Sequence, residues 1–568
     1  MAIAGGTPGV IIATTPNDLK TQLKSFISSV IANKLTFTAP AIVGTITSGG
    51  SLYQAQFEYA YQKEWEGTLL RKKIKPDGTV DSADPGNWDA AKKLPLPDAR
   101  KIWSVIPNTN YKTNYNNFTA SNSANINTLF QLMGNAVPDY HSDTNFPVGT
   151  RRCSRAPGVI NGNSDDIVGL IEFVRGKDYF DYDGDCNLTE KRTHYFGDIY
   201  HSEMVVVGAP NAMTSYANEN QESFWRSSKN YENFKAANRN RRETIYVGTN
   251  TGILHAIDAK TGIEQWGFVP PFIAASQLPS VVNPTLNGVA STKFNGGSNS
   301  IYGVDGALTF HDMYYGGKWR TVLFVPYGRG GAGFSVLDIT APNSPLHLFS
   351  VFNDITNKTV HHVDHNGTFQ QWSYVGTTYG LASFKEAVRA TANYQANPAV
   401  AATCNNSGTT ACFKSTRWTL PVSVTRTDIK VYESGIEITN YSLSRSGSDT
   451  ILTFASDQTF DASDASPNNT TGVSVEIINN RIATGVTQQP DYDYSTLGET
   501  WSAPRIFRMP NQGAGDSNIQ DDIYVAVMGG GFNATRPGIG SSLFVINLQD
   551  TTKPGKIEKI IKIQDVYT

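Results

Sequence analysis

Charged residues are scarce in this chain: 17% of 568 positions, with a formal net charge of −3 at pH 7. Without a basic surplus there is no field to attract a phosphate backbone, so nucleic acid is not an expected partner. Long apolar runs are also missing. No stretch reaches about 18 apolar residues, so no transmembrane helix is predicted. The opening residues, MAIAGGTPGVIIATTPNDL, lack a basic start and a full apolar run, and do not read as a signal peptide. Cysteine is limited to four residues, and no C-x-x-C pair offers zinc-ligand spacing. Cys404 and Cys412 bracket the polar loop NNSGTTA and form either a disulfide or two unrelated thiols. Cys153 and Cys186 are the only other pair left over. An even count in polar surroundings favours an oxidising compartment outside the cytoplasm.

What the chain has in quantity is glycine (50), tyrosine (26) and phenylalanine (27), the composition of many strands and many turns. From residue 196 onward short apolar runs end in Gly, Asn or Pro clusters at about ten-residue spacing, as in EMVVVGAP, ETIYVGTN, GILHAIDA, WRTVLFVPYG, GAGFSVLDI, DIYVAVMGGG and SLFVINL. This rhythm predicts an all-β sandwich, barrel or propeller. SLYQAQFEYAYQKEWEGTLLRKKIKPDGTV predicts a hairpin plus a third strand, whereas NINTLFQLMG and DDIVGLIEFVRG predict short helices carried on loops. At the N-terminal end Leu19, Leu23, Phe26, Ile27, Val30 and Ile31 recur at helical spacing behind Thr15 and Pro16, which predicts one amphipathic helix over 16–34. Residues 385–490 break the rhythm and are expected to be an inserted small β-rich module.

One stretch narrows the choice. In TIYVGTNTGILHAIDAKTGIEQWGFVPP, Asp258 and Thr261 can shape a turn through local hydrogen bonds and Gly262 supplies a positive φ. Trp266 then falls on the next strand as a flat plug between neighbouring sheets. With Ala256, these residues form a docking unit of a β-propeller, an architecture that hides its sheet edges by radial repetition. The same unit occurs in quinoprotein dehydrogenases, which keeps a PQQ-dependent oxidoreductase as an alternative. Only one complete unit is present, however, and vicinal cysteines are absent.

The chain resembles the PilC/PilY family of type IV pilus tip-associated proteins. The resemblance is carried, in the family's order, by HYFGDIYHSEMVVVGAP, IYVGTNTGILHAIDAKTGIEQWGFVP, GVDGALTFHDMYYGGKWRTVLFVPYGRGGAGFSVLDIT, LGETWSAPRIFRM and YVAVMGGGF. It implies a β-propeller of about seven irregular blades over 40–384 and 491–568, interrupted by the 385–490 module. Residues 1–39 would be the end of a von Willebrand factor A-type domain, although no D-x-S-x-S metal motif is present. Either both ends are truncated or the chain is a fragment. The implied function is that of an adhesin and biogenesis factor, extracellular and at the pilus tip after export through the periplasm. It would cap a complex of minor pilins and attach to a host or abiotic surface. Work by binding rather than turnover is implied, so the protein is not expected to be an enzyme. A purely structural filament subunit is a further alternative.

Three polar clusters are candidate sites. DYDGDCNLTE places Asp181, Asp183, Asp185 and Asn187 at alternating positions with Glu190 behind them, the oxygen-rich pattern of a calcium loop. An EF-hand would place Gly where Cys186 stands and Glu where Arg192 stands, so the loop is either a shorter calcium site or a solvated turn. DSNIQDD offers a second candidate in Asp516, Asn518 and Asp522. HHVDH brings His361, His362, Asp364 and His365 within five positions and is expected to be an exposed polar turn. Arg175, in RGKD, is read as a structural residue at a helix end.

Overall fold

The computed structural model describes residues 41–43, 50–58, 64–137, 163–215 apart from 181, 184 and 186, 221–282 and 298–373. It further describes parts of 412–477 and residues 490–510, 518–533 and 539–562. Outside the insertion these residues form four sheets, against the expected seven or so blades. The first sheet is the predicted hairpin, Ser51–Glu58 with Glu66–Ile74, flanked by Ala41–Val43, Val80–Asp81 and Trp88–Asp89. The second orders Ile102–Trp103, Glu264–Phe268, Leu254–Asp258, Thr244–Gly248 and Val205–Val207, with Ile102–Trp103 running parallel to its neighbour. The third is a six-stranded antiparallel meander from Thr309–Tyr315 to Phe369–Ser373. The fourth orders Arg505–Met509, Ile523–Gly529, Ser542–Asn547 and Ile557–Lys562.

The side-chain period of two shows how these sheets stack. In Lys318–Pro326, Val322 and Phe324 enter a core shared with Tyr524, Ala526 and Phe544 of the fourth sheet. Their neighbours Leu323 and Val325 enter a separate core with Tyr246, Leu254 and Trp266 of the second sheet. In Thr244–Gly248, Ile245 and Val247 pack against Tyr53, Ala55 and Leu69 of the first sheet, and Tyr246 faces the third. The sheets therefore stack face to face in the order one, two, three, four. Inner strands such as Gly333–Asp338 are buried along their whole length because both faces are covered.

The predicted helices lie at Ser123–Phe130 and Asn163–Arg175 and close a third core with Phe118, Ile253 and Leu278. Within the insertion, strands pair only with one another among the described residues, as two three-stranded sheets. Its strand Cys412–Leu420 has no counterpart in the sequence reading; it pairs with Asp449–Asp461. The predicted 16–34 helix lies outside the described residues, as do Cys153, Cys186 and Cys404.

The docking unit takes the form its residues suggest. Asp258 Oδ1 accepts from the backbone of Lys260 and Thr261 and from Thr261 Oγ1, at 2.8–3.0 Å. Gly262 has φ +75°, and a Cβ there would lie 2.6 Å from the Trp88 ring of the first sheet. Trp266 follows Ala256 across the register, is 1% exposed, and donates from Nε1 to Pro342 O at 2.7 Å, on the third sheet's side.

The His-rich run corrects the sequence reading. His361 and His362 lie in the strand Thr359–Val363 and are 6% and 1% exposed. The apolar Val360 and Val363 draw this segment into the sheet, and successive residues then face opposite ways. His362 Nε2 lies 2.8 Å from Pro554 O, in the turn before the last strand of the fourth sheet, and burial pushes its imidazole down to about 4. Asp364 instead caps a turn, accepting from the backbone of Asn366 and Thr368.

Candidate functional site

The acidic loop follows the helix Asn163–Arg175. Arg175 is structural, as read: its guanidinium donates to the backbone oxygens of Pro97, Arg100 and Phe118. Beyond it, carboxylate oxygens of Asp178, Asp183 and Glu190 lie within 4.8 Å of one another. Two of the expected residues, Asp183 and Glu190, are therefore brought together. Asp185 and Asn187 are exposed and hydrogen-bonded within the loop, Asn187 N donating to Asp185 Oδ1 at 2.7 Å. Asp181 lies outside the described residues. Asp178, upstream of the alternating run, was not among the expected residues; its signal was membership of the same eight-residue aspartate cluster. It is 3% exposed, and its Oδ2 accepts from Tyr182 N at 2.9 Å. Partial burial first, and then the charges of Asp185 and Asp183, push the Glu190 carboxyl up. A neighbouring cavity of about 140 Å³ is lined by Asp178, Asp183, Trp65 and Arg192 among others.

The second acidic candidate is not assembled in this way. Asp522 pairs with Arg508, Asn518 is exposed, and Asp516 lies outside the described residues.

A second focus was not visible as a site in the sequence. Loops from the quoted motifs converge where the sheets meet. Asn250 Nδ2 donates to Asp198 Oδ2 at 2.7 Å, and Gly303 N donates to Asn250 Oδ1 at 3.1 Å. Asp305 receives His201 twice, from the backbone N at 2.9 Å and at Nδ1, 2.7 Å away. Thr500 Oγ1 accepts from Tyr327 N and donates to Gly333 O. The Trp501 ring stands 4.8 Å from that of His201. Glycine makes the convergence possible, since a Cβ on Gly330 would lie 1.8 Å from Gly303 O. Two carboxylates are buried here. Burial, reinforced by Asp305 and opposed by Asn250, pushes Asp198 up to about 7. Burial also raises Asp305, against the hydrogen bonds from His201.

Antiparallel sheets stacked face to face, with their loops converging at one place, are the build of a β-propeller. Residues 196–410 match the model of the PilY1 beta-propeller domain, and the chain is similar to PilY1 proteins. It is 26% identical over 389 residues to the type IV pilus biogenesis factor PilY1 of Pseudomonas aeruginosa strain UCBPP-PA14, covering 66% of this chain and 30% of that protein. It is 38% identical over 178 residues to a PilY1 homolog of Xylella fastidiosa strain Temecula1, covering 31% of this chain and 13% of that protein. The chain thus spans less than a third of the length of these relatives. The crystal structure of the P. aeruginosa PilY1 C-terminal domain is similar over 62% of this chain and 65% of that one, at 17% identity and a TM-score of 0.20. Among the described residues no helix is long and apolar enough to cross a membrane.

Proposed function

We propose that this chain serves type IV pilus biogenesis as a binding propeller at the pilus tip, capping a minor-pilin complex and attaching to surfaces. The match of residues 196–410 to the PilY1 beta-propeller domain carries the reading. The names of the relatives, type IV pilus biogenesis factors, support its first half. A rigid scaffold with functional loops at its ends suits recognition rather than turnover. Deleting the gene is expected to reduce sheared surface pili and shrink twitching zones. Normal piliation and twitching in the deletion strain would overturn the biogenesis role. Unchanged attachment at matched piliation, in a retraction-deficient background, would remove the adhesive one.

We also propose that the acidic loop holds calcium. Asp178, Asp183 and Glu190 provide hard oxygen donors, and their mutual repulsion calls for a cation between them. Titration calorimetry on the wild type should show calcium heats that Asp183→Ala abolishes. Free calcium at 100 times Kd should stabilise the wild type by about 2.7 kcal/mol. Equal heats from both proteins would remove the ion.

A further inference from the structure

The loop convergence opens on a surface patch that the packing of the sheets does not require. Trp501 is 37% exposed and Phe532 56%, two large aromatic side chains at the surface. Their backbones are tied together. Trp501 Nε1 donates to Glu499 Oε2 at 3.0 Å, and Glu499 and Phe532 exchange backbone hydrogen bonds of 2.8 and 3.0 Å. Beside them, exposed Arg329 lies over the Tyr302 ring, 3.9 Å from its centroid. No carboxylate pairs with Arg329 among the described residues. Arg329 is placed by Gly328, which has φ +58°, forms a bridge to Thr500, and packs against the Asp305 backbone. His201 is 31% exposed, and its Nδ1 is committed to Asp305, which leaves Nε2 for another group.

Two exposed aromatics, an arginine stacked on a tyrosine, and a histidine fixed by a buried carboxylate match the residue types that dominate protein–protein binding energy. They are also preorganised, so little side-chain entropy is lost on contact. The Arg329 guanidinium feels the Asp305 charge but forms no ion pair among the described residues, and its fork suits an anion with planar geometry, which a carboxylate supplies. A polyanion such as nucleic acid does not fit, because the chain is net negative.

We propose that this patch docks a protein segment presenting a carboxylate beside an aromatic or branched aliphatic side chain. The carboxylate meets Arg329 and His201, and the apolar group meets Trp501 and Phe532. The patch shares no residue with the acidic loop, and the proposal does not depend on calcium binding there.

The test is selection of phage-displayed random dodecapeptides on the whole chain, with counter-selection on Arg329→Gln. Enriched peptides should carry Asp or Glu within three positions of Trp, Phe, Leu or Ile. Measured by fluorescence polarisation, Arg329→Gln and Trp501→Ala should each weaken them about tenfold or more. Affinity should also fall as salt is raised. Circular dichroism checks that both variants, altered at exposed positions, remain folded. No enrichment over the variant, enriched peptides without an acidic residue, or equal affinity for Arg329→Gln would each overturn the proposal. So would binding only to neutral oligosaccharides on a glycan array.

Discussion

Arg100→Met should be among the most damaging single changes in this protein. Arg100 is fully buried and forks onto Glu264, with Nε to Oε2 at 2.7 Å and Nη2 to Oε1 at 2.8 Å. Its remaining nitrogen, Nη1, donates to Val174 O and Arg175 O, tying the end of the helix Asn163–Arg175 to the second sheet. Glu264 also lies 2.7 Å from His255 Nδ1. Burial alone would raise the Glu264 carboxyl, but the Arg100 charge and the hydrogen bonds from Arg100 and His255 outweigh it and hold it well below the usual range. Burial keeps His255 itself low, so it acts as a neutral donor. Removing Arg100 leaves a buried carboxylate with a single neutral partner, a defect that costs about 3–5 kcal/mol. The urea midpoint should fall accordingly. The double variant Arg100→Met/Glu264→Leu should recover much of the loss, because it removes the stranded charge as well. A midpoint for Arg100→Met within experimental error of the wild type would show that the pair holds nothing together.

This ion pair illustrates what the sequence displayed and what it concealed. Strands were legible because their apolar residues repeat locally: Thr244–Gly248, Gly333–Asp338 and Ile523–Gly529 all fall where short apolar runs end in turn residues. The turn around Asp258 and Gly262 was legible for the same reason, since its hydrogen bonds span only two to four residues. Contacts between distant segments leave no such trace. Arg100 meets Glu264 across 164 positions, and His201 meets Asp305 across 104. The GDIYHS and YGVDG segments could be quoted as family motifs, but nothing local said that one residue of each would grip the other. His361 and His362 mislead in the opposite direction. Their polarity suggested a turn, yet two flanking valines and a partner carbonyl on Pro554 sufficed to bury them. In the acidic loop, alternation pointed to Asp185 and Asn187, whereas the fold turns Asp178 toward Asp183 and Glu190.

Asp198→Asn should change how stability depends on pH. The folded protein holds the Asp198 proton up to about 7, whereas an unburied aspartate gives it up near 3.8. Between those limits the native state binds more protons than the unfolded chain, so stability falls as pH rises. The contribution is fully present below about 4 and is lost by the time pH passes about 7. The gap between 3.8 and about 7 corresponds to about 4 kcal/mol over that window. Asparagine keeps the oxygen that accepts from Asn250 and removes the ionisation. The variant and the wild type should therefore unfold at similar temperatures at pH 4. At pH 8 the variant should be the more stable of the two. Asp305, also raised by burial, stays in both proteins, so the difference between them reports Asp198 together with its coupling to Asp305. The readout is thermal unfolding from pH 4 to pH 8. Parallel curves for the two proteins would mean that Asp198 ionises in the fold as it does in water, and that the loop convergence admits solvent. If the curves diverge as expected, the Asn250 and Gly303 side of the loop convergence is anchored on a carboxyl group kept out of water.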